Sequence, residues 1–319
     1  MRKQVLSVAV FVALAAAPPA LADFPYAHQG TDPSDYTDLY LENEEPDDVG
    51  EEATLDDNGG GEYWKYSASP EPTPQNALND VRPAELGGVR GASLFDFNEG
   101  LDWAWQVSTG RPDVTIAVLD SGIEWDNAGA MTDLRFKTRI NRGEAPVPLT
   151  NRTDAEALVG GTDCDAYADV YDANDDGVFN LRDYACDLRV NVTDPRRVGP
   201  VGTLIPQDVL IAFSDGVDDD DNGFVDDMVG WDFLDDDNDP FDDVGYGHGT
   251  GEAEGSNGEA GNGNTIGSCP NCTVIHMRVG DSFIADVNRF AAAVVYAVDN
   301  GALVIQSALG TLNNTSLAR

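Results

Sequence analysis

A buried-strand pattern runs through Val114-Thr115-Ile116-Ala117-Val118-Leu119-Asp120-Ser121-Gly122-Ile123. β-Branched residues favour a pleated backbone, and an unbroken apolar run of this length is typical of a strand buried on both faces. Ser121 and Gly122 end the strand. Asp120 is therefore predicted at the carboxyl end of a central strand, where open α/β sheets place their functional sites. The structural alternative is an acid that only ends the strand and caps the next segment of the chain.

A second motif, Gly247-His248-Gly249-Thr250, lies further along the chain. Histidine exchanges a proton near neutral pH, and a buried carboxylate can fix its tautomer and stabilise its cation. A histidine between glycines is, on its own, more often a turn or capping residue than a catalyst. The combination of strand-Asp-Ser-Gly with a later Gly-His-Gly-Thr resembles the subtilisin-like serine proteases (the subtilase family, peptidase S8), whose triad runs Asp, His, Ser along the chain. By this resemblance, Asp120 is the acid of a catalytic triad and His248 is its general base.

The resemblance extends from about Trp103 to Leu317 and implies the fold. It predicts an α/β fold, a subtilisin-like three-layer sandwich with a parallel sheet that is incomplete at its carboxyl end. Cys269–Val279 resembles the strand after the histidine helix, and Gly301–Gly310 resembles the strand that runs beside the substrate. The residues that this resemblance assigns to substrate binding are Ala308, Leu309 and Gly310.

The sequence departs from the family pattern at two places. After Thr250 the family usually has His-Val-Ala-Gly, whereas this chain has Gly251-Glu252-Ala253-Glu254. The family's nucleophilic serine and its oxyanion-hole asparagine come much further after the histidine than Arg319 does. Thr315–Ala318 echoes the nucleophile turn only superficially, because it directly follows the substrate-side strand. We therefore expect the first part of a protease, with the serine beyond Arg319, that does not cleave peptides as written.

The charge of the chain limits its class of partner. Lys and Arg number 18 against 58 Asp and Glu, which gives a net charge of −40. Phosphate binding needs basic side chains, so nucleic acid is excluded as a partner. The excess of acid indicates high solubility, cation binding or a saline habitat.

The first part of the chain is predicted to be exported and weakly ordered. Met1–Ala22 has a basic start, an apolar run and a small-residue site, Ala20-Leu21-Ala22, as a secretory signal peptide does. The apolar run is too short to span a bilayer, so no membrane span is expected after its removal, and the location is extracellular or periplasmic. Residues 23–85 are predicted as an acidic, weakly ordered extension, and 86–319 as the protease domain.

Residues 140–240 are predicted as an Asp-rich calcium-binding insertion, because the family usually has a much shorter segment between its acid and its histidine. Within it, Asp172–Asp183 matches a twelve-residue calcium loop with glycine at position 6. Position 12 is aspartate rather than glutamate, as in dockerin-type loops. The alternative is an acidic surface turn. The predicted ligands are Asp172, Asn174, Asp176, the backbone carbonyl of Val178, Asn180 and Asp183.

A second candidate calcium loop begins at Asp218 and has Gly223 at position 6, but its position 12 is Val229. It precedes Gly230-Trp231-Asp232-Phe233, as the Asp-rich loop of many bacterial subtilases does. Clustered carboxylates repel one another without a cation, so order in this region is predicted to depend on Ca²⁺. The predicted ligands are Asp218, Asp220, Asn222, the backbone carbonyl of Phe224, and Asp226.

The four cysteines fit an exported, oxidising setting. Cys164 and Cys186 flank the first loop and are predicted to staple it, and Cys269 and Cys272 can close a small ring. A zinc half-site or a redox motif is the alternative for the second pair, although no second ligand pair and no thioredoxin-like context accompany it. His276, on the strand after this pair, is predicted as a packed sheet residue.

Together these patterns predict a secreted, calcium-binding serine endopeptidase that acts on proteins or peptides. The alternative is a non-catalytic secreted calcium-binding or interaction protein that keeps a protease half-domain as a scaffold. A reading frame that continues past Arg319 into a Gly-Thr-Ser turn favours the first, and a stop codon there with a folded product favours the second.

Overall fold

The computed structural model describes residues 109–159, 164, 169–260, 262 and 265–310. The predicted signal peptide (1–22), the predicted extension (23–85) and the Thr315–Ala318 turn lie outside the described residues.

A parallel four-stranded sheet lies at the centre of the described part of the chain. Its strands are β1 (Thr115–Asp120), β2 (Gly230–Asp232), β3 (Thr273–Arg278) and β4 (Val304–Gln306). They are ordered β2-β3-β1-β4, and every pairing is parallel. The apolar run that predicted a buried strand forms β1, which is buried along its whole length. The predicted α/β fold with a parallel sheet is confirmed.

Helices cover both faces of this sheet. Side chains alternate along β1, so Ile116 and Val118 join one apolar core while Ala117 and Leu119 join the other. The helices are α1 (Ala128–Leu134), α2 (Glu156–Val159), α3 (Leu181–Tyr184), α4 (Gln207–Phe213), α5 (His248–Asn257) and α6 (Val287–Asp299). Helices α1 and α5 contribute to the first core and α6 to the second. None of the helices in the described ranges is long and apolar enough to cross a membrane.

The segment between α1 and β2 contains α2, α3, α4 and both candidate calcium loops. Its aromatic residues pack inward: Tyr184 is fully buried, and its hydroxyl donates a hydrogen bond of 2.7 Å to the Pro146 carbonyl. β2 lies within the range 140–240 that was predicted as an insertion. That range therefore includes one strand of the sheet in addition to the loops.

His276 is buried in β3, with 1% of its surface exposed. Its Nε2 lies 3.1 Å from the Thr138 hydroxyl, and burial lowers its pKa to about 3. His276 is therefore a neutral packing residue, as its place on an apolar strand predicted.

Both predicted disulfides are present. Cys164 pairs with Cys186 across a sequence separation of 22, and Cys269 pairs with Cys272 across a separation of 3. The bonded second pair agrees with the predicted small ring rather than with a zinc half-site. Cys186 lies in the same apolar core as α3, so the first disulfide joins the candidate calcium loop to packed structure.

Loss of the first disulfide is expected to cost more stability than loss of the second. A cross-link stabilises chiefly by restricting the unfolded chain, and the longer ring contributes about 3 kcal/mol. Replacing Cys164 and Cys186 together by alanine should lower the unfolding free energy in urea by this amount. The matched control replaces Cys269 and Cys272 by alanine, and equal losses from the two double variants would argue against the entropic explanation.

β4, the residue before it and α6 each expose apolar side chains, and this set of residues is here named the β4–α6 surface (Val295, Val298, Leu303, Val304 and Ile305). Val304 and Ile305 point to opposite faces of β4, and 48% and 37% of their surfaces are exposed. Among the described residues, β4 pairs with β1 only. Strands that are apolar on both faces are normally interior strands of a parallel sheet, so this surface has the composition of an interior.

Candidate active site

Asp120 and His248 are brought into contact at the carboxyl end of β1. The Asp120 Oδ1 atom lies 2.7 Å from His248 Nδ1 and also accepts the Ser121 backbone N–H at 2.7 Å. Asp120 is fully buried, whereas 30% of the His248 side chain is exposed. A carboxylate on Nδ1 fixes the proton there and leaves Nε2 as the nitrogen that can accept another.

Close packing between α5 and β1 explains why glycine follows the histidine. A Cβ atom on Gly249 would collide with the Gly122 carbonyl oxygen and would lie 3.0 Å from the Asp120 Cβ. The Gly249 N–H donates to the Ser121 hydroxyl at 3.0 Å, which in turn donates to Asp242 at 3.1 Å. The two motifs found in the sequence are therefore parts of one packed junction.

Asp242 organises the turn that leads into α5, and sequence reasoning did not single it out. It is buried, and its carboxylate accepts the backbone N–H groups of Tyr246 at 3.2 Å and Gly247 at 2.8 Å. The only sequence signal for this role is an aspartate a few residues before a glycine-rich turn.

The Nε2 side of His248 faces Glu252, one of the residues that depart from the family pattern after Thr250. Glu252 Oε1 lies 3.8 Å from Nε2, and the other carboxylate oxygen accepts a hydrogen bond from the Gln306 side-chain amide. No serine hydroxyl of the described residues is hydrogen-bonded to Nε2. The described part of the chain thus contains an acid–histidine pair and shows no nucleophile next to it.

The residues predicted to bind substrate lie at the carboxyl end of β4, on the same edge of the sheet as Asp120. Ala308 is exposed and Leu309 is half-buried against the second core. Gly310 donates its N–H to the Phe283 carbonyl at 2.7 Å and accepts the Ala285 N–H at 3.0 Å. The strand end is therefore joined to the loop before α6.

Arg278 forms the main cationic centre beside the pair and was missed in the sequence, where it ends an apolar strand. Its side chain is 4% exposed and binds carboxylates from three different segments of the chain. The partners are Asp232, Asp235, Asp243 and Asp281. An internal guanidinium thus neutralises part of the acidic cluster before α5.

The first candidate calcium loop is folded around Asp172 and Asp183. Asp172 accepts the backbone N–H groups of Asp176 and Gly177, at 3.1 and 3.0 Å. Asp183 accepts those of Ala173 at 2.7 Å and Asn180 at 2.8 Å, which closes the loop. Burial raises the Asp183 pKa to about 8, because the ionised carboxylate is costly there without a cation.

The second candidate loop has the same local conformation as the first. Asp218 accepts the N–H groups of Asn222 at 3.0 Å and Gly223 at 2.8 Å, as Asp172 does at the same positions of the first loop. Position 4 of each loop is left-handed, with φ of 56° at Asp175 and 58° at Asp221. The glycines at position 6 have φ of 83° and 92°, a region in which a side chain is strained.

Glu144 supplies the carboxylate that the second loop lacks at position 12, where it has Val229. Its carboxylate accepts the N–H groups of Asp220 at 3.0 Å and of Asp226, position 9, at 3.1 Å. Asp183 likewise binds the N–H of position 9 in the first loop. One oxygen from each of Glu144, Asp218 and Asp220 lies within 4.8 Å of the others, a spacing that a single cation can bridge. Burial raises the pKa of Glu144.

The remaining predicted ligands are used within the loops themselves. Asp176 accepts the Val178 N–H at 2.9 Å, and Asn222 accepts the Phe224 N–H at 2.7 Å. Asn174 donates to Asp176 at 2.9 Å, and Asn180 donates to the Val178 carbonyl at 3.1 Å. Asp226 instead turns its carboxylate toward the N–H groups of residues 215 and 216.

Comparison with known proteins assigns most of the described region to a protein family. A protein-family model described as the subtilase family matches residues 111–318. This range contains all four strands, Asp120, His248 and both candidate calcium loops. A search of curated proteins found no match.

Proposed function

The chain belongs to the subtilase family of serine peptidases, and from this membership we propose that Asp120 and His248 are the acid and the general base of peptide hydrolysis. The observation that supports these roles is the 2.7 Å contact between Asp120 Oδ1 and His248 Nδ1 at the end of β1. His248 Nε2 takes the proton of a serine hydroxyl as that oxygen attacks the peptide carbonyl. The same nitrogen then donates the proton to the leaving amine, and water releases the acyl group.

The proposed nucleophile is a serine outside the described residues. The β4–α6 surface supports this assignment. Among the described strands, β4 is the edge strand next to β1, and it exposes apolar side chains on both of its faces. A further strand and helix packed there would bury this surface. They would also bring new polypeptide to the carboxyl edge of the sheet, where His248 lies.

Both candidate loops are proposed to bind Ca²⁺. Their supporting observations are a shared backbone conformation, in which the first aspartate accepts the N–H groups of positions 5 and 6, and a set of oxygen-bearing side chains of the type that Ca²⁺ prefers. Asp183 in the first loop and Glu144 in the second are buried carboxylates with raised pKa values, a cost that a bound cation removes. The ions would hold the loops in place, and they have no role in the proton transfers.

Secretion is proposed from the pattern of residues 1–22 and agrees with the two disulfides, which form in oxidising compartments. The acidic composition fits a soluble exported enzyme that acts on protein or peptide substrates.

The second candidate function is non-catalytic calcium binding on a protease scaffold. It is favoured by one observation: no hydroxyl of the described residues stands at His248 Nε2, while both loops are fully folded. Expression of the whole reading frame, followed by hydrolysis of a quenched fluorogenic peptide library with calcium present, distinguishes the two. Hydrolysis that is lost in His248→Ala supports the peptidase, whereas calcium binding without any hydrolysis supports the scaffold.

A further inference from the structure

The two ring nitrogens of His248 each face a carboxylate. Asp120 binds Nδ1 from β1, and Glu252 faces Nε2 from one turn further along α5, with 3.8 Å between Oε1 and Nε2. Residues four apart on a helix share a face, so this approach follows from the sequence spacing. The Glu252 side chain is 31% exposed, close to the 30% of His248, so the pair is only partly screened by water.

Gln306 holds Glu252 in this position. The Gln306 side-chain amide, on β4, donates to the Glu252 carboxylate oxygen that does not face the ring. β4 is parallel to β1 and directly adjacent to it, so the amide is fixed by the same sheet that carries Asp120. Glu252 is thus held between the histidine helix and the strand beside it, although the family usually has valine at this position.

The other described titratable groups around the ring and its turn contribute no cation. Glu124 lies beside Gly247, Asp242 binds the N–H groups of the turn, and the Tyr246 ring centroid is 6.0 Å from that of His248. Arg278, the strand partner of Asp120 on β3, is bound by four aspartates. A positive charge that forms on His248 is therefore surrounded by acids.

We propose that Glu252 is a positioning residue for His248, which favours the protonated ring and orients it from the Nε2 side. This inference rests on the proposed role of His248 as general base. When the ring has taken a proton, opposite charges stand at both nitrogens, and the cation is stabilised relative to the neutral ring. The result is a stronger proton acceptor and a weaker proton donor than a ring with one carboxylate and one apolar neighbour.

The test measures the protonation of His248 directly and needs no catalytic activity. Diethylpyrocarbonate modifies only unprotonated imidazole, so peptide mapping by mass spectrometry gives the pH of half-maximal modification for each histidine in the full chain. Glu252→Gln should move this pH for His248 downward, because the charge that faces Nε2 is removed. Glu252→Asp, which keeps the charge on a shorter side chain, should retain most of the wild-type value.

Controls separate the inference from the proposed function. Glu254→Gln removes the same charge from the same helix and should leave the value unchanged, and the buried His276 should stay unmodified while the protein is folded. An unchanged value in Glu252→Gln, with a shift in Asp120→Asn, overturns the inference and leaves the proposed acid–base pair standing. If neither variant moves the value, both the inference and the proposed pairing are overturned.

Discussion

Replacement of Asp120 by asparagine is expected to lower kcat for peptide hydrolysis about 10⁴-fold, the order seen when this acid is replaced in triad proteases. The side-chain amide of asparagine can donate to Nδ1, which stabilises the tautomer with its proton on Nε2. That nitrogen then cannot accept the proton of the nucleophile. Asp120 is buried and 2.7 Å from the ring, so no water can readily take over its role.

The measurement is the steady-state rate on a fluorogenic peptide, with the enzyme expressed from its whole reading frame. Asp126→Asn is a matched control, because this substitution makes the same change of charge at an exposed position shortly after β1. A loss smaller than tenfold in Asp120→Asn would show that another group orients His248.

Replacement of Glu144 by glutamine is expected to weaken calcium binding at the second loop by about 10- to 100-fold. The amide can still accept one of the two backbone hydrogen bonds, but the charge that faces Asp218 and Asp220 is lost. Calcium affinity in such loops depends on the number of charged ligands. Calorimetric titration of the calcium-free protein should therefore show one site weakened and the other unchanged.

Two further variants show which loop each binding event in this titration belongs to. Asp183→Asn should weaken the first loop in the same way, so that the two variants affect different binding events. Glu156→Gln removes an exposed charge in α2 of the same segment and should affect neither. If Glu144→Gln binds calcium like the wild type, Glu144 supports the loop backbone and does not contribute to the ion site.

The central strand and the acid–histidine pair were predictable because each depends on local sequence. The apolar run before Asp120 has the pattern of a buried strand, and it forms one. The glycine after His248 is required because α5 packs closely against the end of β1, and this glycine is already part of the sequence motif. The conformation of the first candidate loop is also local, since all its predicted ligand positions fall within twelve consecutive residues. Both disulfides followed from the spacing of the cysteines around these elements.

Other parts of the site could not be read from spacing, because they depend on residues brought together by the fold. Glu144 is far from Asp218 in sequence, and only the path of the intervening chain places its carboxylate over the second loop. Arg278 appears in the sequence as the polar end of a strand, and its four carboxylates come from three separate segments. The Glu252 position was visible as a departure from the family pattern, but its contact with Gln306 depends on the pairing of β4 with β1.

Glu144 and Asp218 also stand at the two ends of the stretch that carries α2, α3 and α4. A cation shared by the two ends would close this stretch at its base. Helices α3 and α4 of the stretch contribute to the same apolar core as Ile116 and Val118 of β1. Closing the base would therefore restrain a segment that packs against the strand carrying Asp120, so the cation site and the acid–histidine pair would share one core.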